Sequence, residues 1–207
     1  MKFDDQRWRD EMGEVLTWAF RVILLIMSVF LLLQKDYGWA INGFAFLFAT
    51  FLPNVIARNL RISIPIWLQI WLFTAFSLHV LGGFADFYYI GIGYDHLTHA
   101  LSASFIAALG YLLFRSIEGY SKSIYFPEKF LSILVLFFVM ASGMVWEIIE
   151  FSVSLSLDIT IQGSQEDTVV DILFNLVGGG IVALIHFTHM AWSDGERKSG
   201  DLAQPRL

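Results

Sequence analysis

The amino-acid sequence predicts an all-α polytopic membrane protein, one bundle of six transmembrane helices, and three observations carry that prediction. Of the 207 residues, 57% are hydrophobic and only 15% are charged, far from the balance of a water-soluble domain. The apolar residues gather into six runs, each close to the roughly 20 residues that cross a hydrocarbon layer about 30 Å thick. Lipid offers the backbone no hydrogen-bond partner, so each run must close its own bonds as a helix.

The first run, 14–33, follows MKFDDQRWRDEMGE, whose charges of both signs do not make a cleavable signal, so this helix is expected to remain as an anchor. The second and third runs, 38–57 and 62–82, are separated by short polar breaks. After them comes GGFADFYYIGIG at 82–93, whose aromatics suit the membrane interface and whose glycines are expected to let the connector dip back. The fourth run, 94–115, opens on YDHLTHALSA; the fifth, 130–154, contains WEIIEF; the sixth, 168–190, begins inside DTVVDILFN. Residues 1–192 therefore form one transmembrane domain, and the polar stretch from 193, SDGERKSGDLAQPRL, is expected to be a disordered cytoplasmic tail.

Eleven of the thirteen Lys and Arg residues fall in the N-terminal segment, the second and fourth connectors and the tail, whereas the opposite side carries Lys35 alone. Arg21 lies inside the first helix. Positive residues near helix ends are retained in the cytoplasm, so both termini are expected there, in a plasma (inner) membrane. No basic patch suggests nucleic acid as a partner, which leaves membrane lipid. The chain has no cysteine, which excludes disulfides, thiolate chemistry and thiolate zinc sites.

Ionisable groups inside spanning helices are rare and mark function or a partner. Here they share one level, on the side expected to face outward. Asp95, His96 and His99 open the fourth helix; Glu147 and Glu150 stand near the outer end of the fifth. Asp167, Asp171 and Asn175 open the sixth, and His79 closes the third. Spacings of three and four place each set on one helix face. Ala103, Ala107, Gly110, Gly178 and Gly179 continue these stripes inward, and small residues there allow the polar faces to meet.

Five carboxylates without a nearby cation carry a substantial cost. Imidazole with carboxylate suits a divalent transition metal such as zinc, manganese or iron, whereas calcium and magnesium prefer oxygen alone. The expected ligands of one or two ions are His79, His96, His99, Glu147 and Asp171. Asp95 and Asp167 are expected to be further ligands, to support the ligands or to cap helices, and Asn175 to support them. Glu147 and Glu150 have no capping explanation, since acids oppose the dipole at a helix C-terminus. His186 and His189 share the same spacing at the other end of the sixth helix, where cations are favourable, and read as structural.

The succession HVLGG, YDHLTHA, WEIIEF and DTVVDILFNLVGG resembles the YjdF family of multi-pass prokaryotic inner-membrane proteins. The matching residues are His79, Gly82, Gly83, Tyr94, Asp95, His99, Glu147, Glu150, Asp167, Asp171 and Gly178, between about 79 and 184; His96 stands outside the pattern. DILFNLVGG is also similar to the D-x-x-x-N-x-x-G of VanZ-like proteins. The resemblance implies a membrane protein built around these polar residues and implies no particular reaction.

The chemistry that suits such a cluster is metal-dependent hydrolysis or transfer at a lipid or polyprenyl phosphate in the outer leaflet, with Glu150 as the expected catalytic base. A proton- or metal-coupled transporter would use the same groups to bind the moving ion. A non-catalytic membrane partner would use them to hold its helices together.

Overall fold

A computed structural model describes the backbone of residues 2–60, 64–90, 93–121, 123–157 and 164–203, and side chains from 12 to 188 within those segments except at 60, 89 and 157. The elements run α1 (Lys2–Leu33), α2 (Tyr37–Ala49), α3 (Leu52–Leu60), α4 (Ile66–Phe84), a 3-10 turn (Phe87–Tyr89), α5 (Tyr94–Tyr120), α6 (Glu128–Leu157) and α7 (Gln165–Ala203). No strand occurs among the described residues. Among the described residues, six stretches are long and apolar enough to cross a membrane: Met12–Leu33, Tyr37–Asn59, Ile66–Phe84, Tyr94–Tyr120, Glu128–Ser156 and Gln165–Thr188. The side chain of His189 lies outside the described residues, as do those of the expected tail.

The helices bury polar stripes and show lipid their apolar faces. On α1 the buried residues are Thr17, Arg21, Leu24, Ser28 and Leu31, alternately four and three apart, while Val22, Ile23, Leu25, Ile26, Val29 and Phe30 are exposed. That spacing is one helix face. With hydrocarbon as solvent, the interior is where a polar side chain finds partners. Gly43 of α2 packs on Ser28 with no room for a Cβ, which sets the close approach of α1 and α2.

Two groups of helices make up the bundle. Leu24, Leu31, Ala40, Phe46 and Val80 form the core shared by α1, α2 and α4. Ala103, Ala107, Tyr111, Leu131, Val135 and Val139 form that of α5 and α6, against which α7 packs through Val182. Leu68, Leu72, Phe73 and Phe105 join the two groups across α4 and α5.

The second span is one run in the sequence and two helices in the structure. Pro53 has no N–H and its ring collides with a helical carbonyl four residues back, so the helix stops at Ala49 and restarts at Leu52. Arg21 closes the break: its Nε donates to Thr50 Oγ1 at 3.1 Å and its Nη2 to the Thr50 carbonyl at 3.0 Å. The guanidinium also lies 3.9 Å from the centre of the Phe51 ring and 5.0 Å from that of Trp18. A buried cation in a helix thus serves as the missing donor at an interrupted one.

At the end of α5 remote from Asp95, Arg115 pairs with Glu118 at 2.6 Å and with Glu128 of α6. His186 of α7 reaches Glu128 at 3.0 Å and stacks on Tyr111 at 4.0 Å between ring centres. This network fastens α5, α6 and α7 at one end and agrees with the structural reading of His186. The loop expected from 82 begins later. Gly82 and Gly83 are the last turn of α4, kept small because Tyr88 and Tyr94 lie against the first and Trp39 against the second. The backbone turn is made instead by Asp86, with φ 59°, and by Gly93, with φ 66°.

Candidate functional site

Three helix ends meet where α4 finishes and α5 and α7 begin. Gly93 occupies the N-cap of α5 in a left-handed conformation that needs no side chain. Asp95 therefore stands in the first turn, and its carboxylate turns along the helix to His99, Oδ1 to Nε2 3.5 Å. Ser164 precedes α7 and its Oγ accepts from the Asp167 N–H at 3.2 Å. The capping role considered for Asp95 and Asp167 falls to Gly93 and Ser164, leaving both carboxylates for other partners.

Close packing of α5 on α7 brings the polar faces together. Gly178 lies so near the Ala100 carbonyl that a Cβ would overlap it. One turn and three residues above, Asp171 is 4% exposed and presents one oxygen to each histidine of α5. Its Oδ1 is 3.2 Å from His96 Nδ1 and its Oδ2 is 3.9 Å from His99 Nε2. Phe174 stacks on the His96 ring at 4.8 Å and 11°, which fixes the plane of that imidazole.

Two groups result, Asp95 with His99 and Asp171, and His96 with Asp167 and Asp171, each with potential ligand atoms within 4.8 Å of one another. Two atoms bound to one ion at about 2.1 Å can be at most about 4.2 Å apart. The 3.2, 3.5 and 3.9 Å pairs already satisfy that limit. Among the described residues the ion pairs at this end use histidine alone as the cationic partner, with neither Lys nor Arg.

His79, Glu147 and Glu150 fall outside both groups. Glu147 is 6% exposed and lies close enough to His99 and Thr168 to interact with both. Its Oε1 is buried without a hydrogen-bond partner. Glu150 lies beside Trp146. Asn175 of α7 lies beside His99 and packs against Gly143 of α6, where a Cβ would come within 2.5 Å of its amide nitrogen.

His79 sits in a separate aromatic setting. Trp39, Phe46, Tyr88 and Trp146 surround it with ring centres 5.5, 4.9, 5.5 and 5.9 Å away. Its Nδ1 is 2.7 Å from the Tyr88 hydroxyl, which also approaches Thr98 Oγ1 at 3.4 Å. Thr98 in turn donates to the Asp95 carbonyl at 2.8 Å, so a chain of hydrogen bonds connects His79 to the backbone of Asp95. Burial holds the Tyr88 phenol above its ordinary pKa. Tyr88, Thr98 and Trp146 escaped sequence reasoning; the aromatic connector before YDHLTHA was the available signal.

Residues 16–191 match a family model described as "predicted membrane protein (DUF2238)". No curated protein and no solved structure matches the chain.

Proposed function

The chain therefore belongs to the DUF2238 family of predicted membrane proteins, and on that premise we propose that it is a metal-dependent membrane hydrolase or transferase acting on a lipid or polyprenyl phosphate. The reading places the active face on the extracytoplasmic side of a plasma (inner) membrane, as the distribution of Lys and Arg suggests. The finer likeness to YjdF proteins belongs to the same proposal.

The observation that carries it is Asp171, one buried carboxylate whose two oxygens each face a different histidine and are shared by two potential ligand groups. Such a carboxylate suits two divalent cations side by side, one held with His96 and Asp167, the other with Asp95 and His99. Zinc, manganese and iron fit that donor set. An ion there would stabilise charge on a phosphoryl oxygen and ionise water near neutral pH.

The chain's own residues supply the rest. The stack on Phe174 orients His96. Glu147 carries a buried oxygen with no partner beside His99. Glu150, beside Trp146, is the carboxylate left to accept a proton from an attacking water.

Equilibrium dialysis against zinc or manganese, followed by elemental analysis, tests the reading. Two ions per chain are expected. Asp171→Asn removes both because it is common to the two groups, whereas Asp167→Asn removes one and keeps the ion at Asp95 and His99. A protein that takes up no stoichiometric ion, or an Asp171→Asn variant that binds like the parent, overturns it.

A further inference from the structure

A cavity of about 400 Å3 opens beneath the polar cluster, between α2, α4, α5, α6 and α7. His79, His99 and Asn175 line one end of it, and the rest is lined mostly by apolar side chains, with Thr98, Ser102 and Ser142 among them. A second cavity of about 160 Å3 continues it between α3, α4 and α5, sharing Ala49, Phe76, Ser102 and Ile106 as walls and ending at Ile64 and Gln69. From His79 to Gln69 is ten residues of α4, roughly 15 Å of helix. That is about half of a hydrocarbon layer roughly 30 Å thick, the depth one leaflet's chain fills.

The shape has a cause in the sequence. Pro53 interrupts the second span, and Leu52, Pro53 and Ile56 of α3 become walls of the lower cavity. Small residues, Ala45, Ala49, Ser102 and Ala103, leave the upper part open. Between α2 and α6 the Phe46 and Trp146 rings stack at 5.4 Å across the cavity wall, the one place where these two helices meet through aromatic rings among the described residues.

The polar end is not a self-satisfied wall. His79 is 7% exposed, its Nδ1 is held by Tyr88, and its Nε2, on the other edge of the ring, is buried without a hydrogen-bond partner. A ligand with a hydrogen-bonding group at one end and hydrocarbon at the other would satisfy both parts at once.

We propose that this cavity holds one hydrocarbon chain of the lipid substrate, inserted between the Phe46–Trp146 pair and α5, with the polar end of the lipid at His79 and His99. The assignment rests on the proposed phosphate-directed reaction and adds the substrate class, a single-chain or single-prenyl occupant lying within the bundle rather than against its outer surface.

Photolabelling tests it. The purified full chain is reconstituted in vesicles doped with either a phosphatidic acid bearing a diazirine on one acyl chain or a polyprenyl monophosphate bearing one near its chain end. Modified residues are then mapped by mass spectrometry. Modification at Ala49, Leu72, Ser102 or Ile106 is expected from one of the probes, and which probe succeeds distinguishes an acyl from a prenyl chain. Ala49→Trp and Ser102→Trp, each filling the cavity, are expected to lower that labelling about tenfold, the loss of about 1.4 kcal/mol of binding. Thermal melting of each variant reports whether it folds. Labelling by both probes confined to lipid-facing residues such as Phe48, Ile133 and Leu184 overturns the proposal, as does full internal labelling of a folded Trp variant. The readout needs neither bound metal nor turnover, so its failure is separate from the failure of metal binding at Asp171.

Discussion

At the scale of single residues, the site depends on which partner each side chain has lost to another. Asp95 and Asp167 are free to face histidines because Gly93 and Ser164 start their helices instead. His79 is held by Tyr88 and by four rings, so its place in the structure is set by a hydrogen bond from a connector rather than by a metal-ligand group. Removing the Tyr88 hydroxyl leaves both His79 Nδ1 and its Nε2 without a partner. Tyr88→Phe should therefore lower stability by about 1 kcal/mol, the net worth of one buried hydrogen bond. The pH dependence follows from the raised phenol pKa. A group whose folded pKa lies above its unfolded value gives its full stabilisation below the unfolded value, near 10 for tyrosine, and loses it only as the pH rises through the folded value. The cost of Tyr88→Phe, read as the shift in melting temperature, should thus be the same at neutral pH and at about pH 9. A cost that disappears between those two pH values would show that the phenol ionises there.

At the scale of elements, α5 and α7 form the scaffold, because their contact sets the distance from His96 and His99 to Asp171. Gly178 against the Ala100 carbonyl is the tightest point of that contact, and the opposing atom is backbone, which cannot rotate away. Gly178→Ala should force the helices apart, weaken metal uptake about tenfold or more and lower the melting temperature. Gly180→Ala is the control: nothing lies within 4 Å of its added Cβ, and alanine is the better helix former by about 1 kcal/mol, so this variant should melt at the same temperature or higher. Equal losses from the two substitutions would remove Gly178 from its role as spacer. Much of this was legible in the sequence. Hydropathy set the six spans, and the four-residue steps of Asp167, Asp171 and Asn175 showed which face of α7 points inward. What stayed hidden depended on contacts between elements. The alternation of polar and apolar residues does not reveal that His96 pairs with Asp171 while His79 turns to Tyr88, since spacing fixes a face and not its opposite number. Pro53 and Arg21 were visible separately, but their common purpose at Thr50 exists only once α1 lies beside α2.

At the scale of the whole molecule, what matters is which side of the membrane the cluster faces. The proposed orientation, with the carboxylate-rich end outside, rests on the eleven Lys and Arg residues at the connectors and termini of one end against Lys35 at the other. That orientation has a chemical consequence: a site reached from outside acts on substrates already carried across the membrane, whereas the reverse orientation would place the same site among cytoplasmic phosphates. Absence of native cysteine makes the question directly testable. Gln34 lies in the exposed turn between α1 and α2, at the same end as Asp95, and Ser123 is exposed between α5 and α6 at the other end. Gln34→Cys should react with a membrane-impermeant maleimide in intact cells stripped of any outer envelope. Ser123→Cys should react only after the membrane is permeabilised. Both positions lie outside the spans, so neither substitution disturbs helix packing or the polar cluster. The opposite labelling pattern would turn the cluster to the cytoplasm and remove an outer-leaflet lipid as its substrate. It would leave the internal cavity as a path from the inner leaflet, because Gln69 and Ile64 would then mark its extracytoplasmic end.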